Sequence, residues 1–149
     1  MSYVFDASSI LVLTREFGEK VVDLLKGKVT SNLAVYEMGN VLWKECSLFK
    51  RLSVAEVLET LTFIFSLVGV MQVLDVNTPR LGRRVLTNAV KLNITYYDSV
   101  YLTAAEQNKG VLVTDDEELA KAARKHGVKT FGSKNLFRRL RELYSSDDG

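Results

Sequence analysis

The chain has 149 residues, of which 47% are hydrophobic and 26% charged, with a formal net charge of +2 and a pI near 8.6. The length suits one domain over residues 1–149 with a full hydrophobic core, and the composition excludes extensive disorder. The net charge is too mild to indicate a polyanionic partner by itself, and a lone cysteine, Cys46, excludes an internal disulfide and a cysteine zinc site.

Short apolar runs alternate with longer helical ones, which predicts a parallel sheet with crossover helices. The first strand is expected at Tyr3–Asp6, where Asp6 interrupts the segment and no cationic stretch precedes it, so no secretory signal is read. Ala7-Ser8-Ser9-Ile10-Leu11 then opens a helix. Asp6 or Ser8 can cap that helix; if Ser8 caps it, Asp6 is left to point into a cleft. A second strand, Lys28–Ser31, leads to a helix from Leu33 to Phe49, in which Cys46 reads as a buried, inert thiol. A second helix, Val54–Val68, begins at Ser53 with Glu56 at capping-box spacing.

The most apolar segment, Leu61 to Leu74, is too short to span a bilayer comfortably. It reads as a buried helix entering the strand Gln72–Asp75, or as a dimer face, in a cytoplasmic protein. Asp75 belongs to a sheet edge, with Asn77 and Pro79 supplying the start of the helix Pro79–Leu92. Thr95-Tyr96-Tyr97-Asp98 has helix-start spacing ahead of Tyr97–Asn108, and Tyr96, Tyr97 and Tyr101 read as core in preference to a base-stacking role. The strand Gly110–Thr114 runs into a capping box, Thr114-Asp115-Asp116-Glu117. Lys125-His126-Gly127 is a helix stop before a last strand, Val128–Phe131. The tail Ser145-Ser146-Asp147-Asp148-Gly149 reads as frayed.

Four isolated acids stand out: Asp6, Glu37, Asp98 and Asp116. Each follows an apolar run or opens a helical pattern, and both places fall on one rim of a parallel sheet, where ligands bind. Carboxylates crowded on such a rim repel one another, and hard divalent ions such as Mg²⁺ or Mn²⁺ relieve that repulsion. Glu37 lies among mostly apolar or small neighbours, where a carboxylate needs a partner, a metal or a proton. Helix capping alone also accounts for Asp98, whose spacing leaves the two readings even. Thr114 can cap with Glu117, which frees Asp116, and can hydrogen-bond a ligating carboxylate. No Ser–His–acid arrangement or Gly-rich phosphate loop is present, and His126 sits in a helix stop.

Taken in order, Val4-Phe5-Asp6-Ala7-Ser8, Val35-Tyr36-Glu37-Met38-Gly39-Asn40-Val41-Leu42, Tyr96-Tyr97-Asp98-Ser99-Val100-Tyr101-Leu102-Thr103-Ala104-Ala105-Glu106 and Leu112-Val113-Thr114-Asp115-Asp116-Glu117-Glu118-Leu119-Ala120 resemble the PIN domain family. Within that family they resemble the compact VapC-type toxin ribonucleases. The resemblance implies a three-layer α/β/α sandwich with a central parallel sheet of about five strands. It implies that Asp6, Glu37, Asp98 and Asp116 bind Mg²⁺ or Mn²⁺, selects Asp116 over its neighbour Asp115, and places Thr114 and Ser8 beside the site. It further implies a metal-dependent endoribonuclease, a homodimer and a small antitoxin that blocks the site. From charge alone, Arg80, Arg83 and Arg84, or Arg138 and Arg139, are candidate contacts to RNA phosphates.

Two other classes fit part of the pattern. A receiver-like phosphoacceptor domain would use Asp75 as acceptor with Thr114 and Lys129 in support, although no acidic pair follows the first strand. A catalytically silent RNA- or protein-binding module would keep the fold and bind no metal.

Overall fold

The computed structural model of the chain describes residues 2–146. Five strands form one sheet: β1 (Tyr3–Phe5), β2 (Val29–Ser31), β3 (Gln72–Leu74), β4 (Val111–Val113) and β5 (Thr130–Phe131). They pair in the order β3-β2-β1-β4-β5, and every pair is parallel. The apolar runs locate all five, but β1, β3 and β4 each end one residue sooner than expected. Asp6, Asp75 and Thr114 turn out of the strands and engage their side chains in the turns that follow.

Eight helices connect and cover the strands: α1 (Ala7–Phe17), α2 (Val21–Leu25), α3 (Leu33–Trp43), α4 (Val54–Gly69), α5 (Pro79–Leu92), α6 (Tyr96–Gln107), α7 (Glu117–Lys125) and α8 (Ser133–Ser146). From β1 the chain steps outward to β2 and β3, then returns across the sheet to β4 and β5. Right-handed crossovers therefore send the early helices to one face and the later ones to the other. Packing of the crossover helices follows that rule: α1 meets α2 and α3, and α3 meets α4, whereas α6 lies on β1, β2 and β4 with α5 and α7 beside it; α8, which follows the last strand, returns to pack on α1. The result is a three-layer α/β/α sandwich. The strand order reverses between β1 and β4, and a crevice opens there at the carboxyl ends of the strands.

The core explains why these short strands suffice. Val111, Leu112 and Val113 are buried on both faces, as a central parallel strand requires. Thr30 is buried on β2 and donates to the Phe5 carbonyl at 2.8 Å, so its hydroxyl is satisfied beside β1. Phe17 of α1 stacks on Phe137 of α8 with ring centroids 3.7 Å apart. The α4 residues Ile64, Leu67 and Val68 face the core, while Phe65 is exposed. The apolar segment Leu61 to Leu74 does lead from a helix into a strand. Among the described residues, no helix is long and apolar enough to cross a membrane.

Several local expectations are corrected. The helix from Leu33 does not run unbroken to Phe49: residues Lys44–Leu48 form a π turn, in which the Phe49 amide reaches the Lys44 carbonyl at 2.9 Å. Cys46 lies in that turn and is half-buried rather than buried. Thr78, not Asn77, caps α5, its hydroxyl accepting from the Leu81 amide at 3.3 Å, while the Asn77 backbone amide donates to Asp75 Oδ1 at 2.9 Å. Gly18, at a φ of 55°, ends α1 and splits the first connection into two helices. Gly127, at a φ of 85°, ends α7 where the sequence places the stop. Tyr96 and Tyr97 are exposed; only Tyr101 of the three tyrosines is core. Ser145 and Ser146 belong to α8, and residues 147–149 of the expected frayed tail lie outside the described residues.

Candidate active site

Asp6 stands at the strand-order reversal, 4% exposed, as the N-cap of α1. Its extended backbone (φ −84°, ψ 174°) turns Oδ1 onto the Ser9 amide at 2.9 Å. Asp6 therefore caps the helix itself. Ser8, the other candidate cap, donates its hydroxyl to the same Oδ1 at 2.8 Å. The other oxygen, Oδ2, accepts from the Thr114 hydroxyl. Burial pushes the Asp6 carboxyl above the ordinary range, against the hydrogen bonds from Thr114, Ser8 and Ser9.

Thr114 joins the two central strands at the rim. Its amide continues the β4–β5 ladder to the Phe131 carbonyl at 3.0 Å, and its hydroxyl accepts from the Asp116 amide at 3.1 Å. The expected capping role of Thr114 falls instead to Asp116, whose Oδ1 accepts from the amides of Glu118 (2.9 Å) and Leu119 (3.2 Å). Thr114 is already committed to Asp6, so Asp116 takes the cap. Asp115 goes elsewhere: its Oδ1 accepts from the Ser133 amide at 3.1 Å, at the first residue of α8. The adjacent acids thus serve two different helices.

Glu37 and Asp98 come from opposite helical layers. Glu37 lies in the second turn of α3, and its Oε1 accepts from the Tyr101 hydroxyl at 2.6 Å. Asp98 lies in the first turn of α6, where its amide reaches the Thr95 cap at 3.1 Å. Burial raises the Glu37 carboxyl; the Tyr101 bond opposes this, and the charges of Asp98 and Asp6 add to it. Burial also raises Asp98, helped most by the charge of Asp116 and further by Asp6 and Glu118, with Thr95 opposing. Each of the four acids thus lies within electrostatic reach of at least one other, and Asp98 links Glu37 to Asp116. Glu118 belongs to the same field and was not foreseen.

Tyr101 is the residue that sequence reasoning missed. It is buried, as expected of core, yet its hydroxyl points at the acids. Burial drives its phenol far above the usual range, and the Glu37 and Asp6 charges push the same way. It remains a hydrogen donor at any working pH. One signal exists in the sequence: Tyr101 falls three residues after Asp98, on the same helical face.

The donor set is all carboxylate oxygen with hydroxyl support, which is the chemistry of hard divalent cations. Among the described residues, however, no group of three or more His, Cys, Asp or Glu side chains is gathered tightly enough to hold an ion. The fit thus lies in the chemistry of the donors and their shared field, and not in a preformed cage.

The candidate phosphate contacts divide. Arg84 forms a two-pronged ion pair with Glu106, which also accepts from Asn88 at 2.9 Å and lies 3.4 Å from His126 Nε2. Burial raises the Glu106 carboxyl, but the bonds from Arg84, Asn88 and His126 outweigh it and leave it below the ordinary range. Arg84 is therefore committed to the α5–α6 contact. Arg80 and Arg83 are exposed on α5, and Arg138 is exposed on α8. Arg139 lies over the Phe131 ring at 5.0 Å. Asp75 follows the edge strand β3 and is exposed, outside the crevice, as the sequence reading placed it. It thus lacks the central position that a receiver-like acceptor requires.

The PIN domain family model matches residues 3–125, which include all four acids. The chain belongs to the PIN domain family. It is 34% identical over 119 residues to the exonuclease VapC9 of Pyrobaculum aerophilum, covering 80% of this chain and 84% of that protein. It is 32% identical over 127 residues to the ribonuclease VapC3 of the same organism, covering 80% and 93%. The crystal structure of PAE2754 from Pyrobaculum aerophilum superposes with a TM-score of 0.76 at 29% identity, over 95% of this chain and 98% of that one. The PIN fold expected from the four sequence segments is therefore the fold observed, and the likeness to the two VapC-named relatives covers 80% of the chain.

Proposed function

We propose that this PIN domain is a divalent-metal-dependent ribonuclease, the toxin of a toxin–antitoxin pair. The observation that carries the reading is the shared field of Asp6, Glu37, Asp98 and Asp116 at the sheet's strand-order reversal. Burying mutually repelling carboxylates is costly unless a cation or protons offset the charge. The names of the relatives, one an exonuclease and one a ribonuclease, give the reaction class.

In this reading Asp6, Glu37, Asp98 and Asp116 hold Mg²⁺ or Mn²⁺. The bound ion supplies Lewis acidity toward a phosphodiester and a water nucleophile at neutral pH. The chain's own residues then have distinct tasks. Thr114, Ser8 and the Ser9 amide fix the Asp6 carboxyl and oppose the effect of its burial. Tyr101 orients Glu37 from behind. In-line attack of water on phosphorus expels the 3′-oxygen, leaving a 5′-phosphate and a 3′-hydroxyl. The partners are an RNA substrate, a small antitoxin that covers the acids, and a second copy of the chain.

The test is cutting of linear and circular single-stranded RNA by wild type and Asp98→Asn, in Mn²⁺ or Mg²⁺ and in EDTA. The reading requires metal-dependent cutting by the wild type alone. Cutting of the circle identifies an endonuclease, whereas loss of linear RNA only, from an end, identifies an exonuclease. Equal cutting in EDTA would overturn the metal role. A second reading, a silent RNA- or protein-binding module, is favoured by the lack of a preformed group of three ligating side chains among the described residues. It requires a folded wild type that neither binds the ion nor cuts RNA.

A further inference from the structure

A second feature adjoins the acids. A cleft of about 330 Å³ opens beside the N-termini of α7 and α8, and Thr114, Asp116, Arg124, Phe131 and Asn135 are among its lining residues. It shares Thr114 and Asp116 with the acid cluster, so a strand that brings a phosphate to the acids runs directly into it. Its volume lies at the lower end of small-molecule sites and suits about one nucleotide.

Phe131 and Arg124 line the cleft, and two further cations stand beside Phe131 without lining it. The Lys129 ammonium lies 5.2 Å and the Arg139 guanidinium 5.0 Å from the centre of the Phe131 ring. The Arg124 guanidinium is steadied by the Thr130 hydroxyl at 3.1 Å. Among the described residues, none of these three cations forms a salt bridge with a carboxylate. Asn135 is exposed in the first turn of α8 and offers both an amide donor and an acceptor. Asp115, Asp116 and Glu117 of the lining repel phosphate. That orders a bound strand, with its charge on the cationic side and its neutral base within the cleft. Aromatic rings and guanidinium planes stack on any base, and an amide reads a base edge.

We propose, resting on the ribonuclease reading, that this cleft holds the nucleotide next to the scissile phosphate of a single RNA strand. Its base lies against Phe131, its edge faces Asn135, and its phosphate sits on Arg124, with Lys129 and Arg139 adding positive charge beside Phe131. The proposal is tested by the anisotropy of a short fluorescent single-stranded RNA bound to Asp98→Asn protein, which keeps the cleft intact. Arg124→Gln and Asn135→Ala are added in that background, both at exposed positions. RNA cutting by the wild type is measured in parallel. Arg124→Gln should raise Kd about tenfold and make log Kd against log salt shallower by about 0.7, the share of one single-strand phosphate. An abasic site scanned along the RNA should weaken binding about tenfold at one position, and at that position should cost the Asn135→Ala protein no further loss. If the parent binds RNA and the wild type cuts it, but both variants bind as the parent does, the subsite is wrong and the ribonuclease reading stands. If the wild type does not cut and the parent does not bind, both fall together.

Discussion

Thr114→Val would show whether the buried acid depends on the hydroxyl that reaches it. The substitution keeps the branched shape and deletes the O–H. Asp6 is 4% exposed, so water cannot replace the lost donor to Oδ2. The Asp116 amide also loses its 3.1 Å acceptor, but it lies near solvent and contributes little. A hydrogen bond to a charged group contributes about 1.5–3 kcal/mol, so we expect a loss of about 2–3 kcal/mol. At about 2–4 °C per kcal/mol for a domain of this size, Tm should fall by about 4–12 °C. Urea unfolding followed by circular dichroism, in EDTA at neutral pH, measures the loss. Removing the donor leaves the Asp6 carboxyl still more prone to take a proton, because that bond works against its burial. The cost should therefore shrink on acidification, as a protonated Asp6 no longer needs the donor. In an Asp6→Asn background, the Thr114→Val cost should drop below about 1 kcal/mol. A loss under about 0.5 kcal/mol, or an equal cost in both backgrounds, would refute the reasoning.

Other expectations follow from the same geometry. Tyr101→Phe keeps the buried ring but removes the donor to Glu37, so Mn²⁺ affinity measured by calorimetry should fall about tenfold while the fold survives. Asp115→Ala should cost about 1 kcal/mol through the α8 start and leave Mn²⁺ affinity unchanged, whereas Asp116→Ala should lose a similar cap at α7 and weaken the ion. Metal-free stability should depend on pH with a definite sign. Asp6, Glu37 and Asp98 hold protons more tightly when folded than when unfolded, so stability falls as pH rises above the ordinary carboxylate range through their raised folded values. Melts in EDTA should therefore move up as pH is lowered from about 7 to about 5, and Asp98→Asn should flatten that trend.

The sheet was legible because a buried parallel strand needs no alternation: Val111-Leu112-Val113 is apolar throughout, as its burial on both faces demands. The Thr95 cap and the Gly127 stop were legible because both are local. The sequence leaves the cap at Asp6 open and misplaces that at Asp116 for a common reason. In each case several adjacent polar residues can cap, and a contact remote in sequence decides between them. Thr114 is withdrawn from capping by Asp6, 108 positions away. Tyr101 looked like core because it is core, and its role depends on Glu37, 64 positions away. The basic clusters were legible as charge only. Nothing in the sequence separates Arg84, neutralised by Glu106, from Arg139, which lies over Phe131.

The central claim is that four carboxylates form one divalent-cation site. The most direct test is a calorimetric Mn²⁺ titration of the purified protein beside Asp6→Asn and Asp98→Asn, each shown to be folded. The wild type should bind saturably, and binding should weaken at least about tenfold in both variants, since each loses one charged oxygen ligand. Equal binding by all three proteins, or none by the wild type, would contradict that claim.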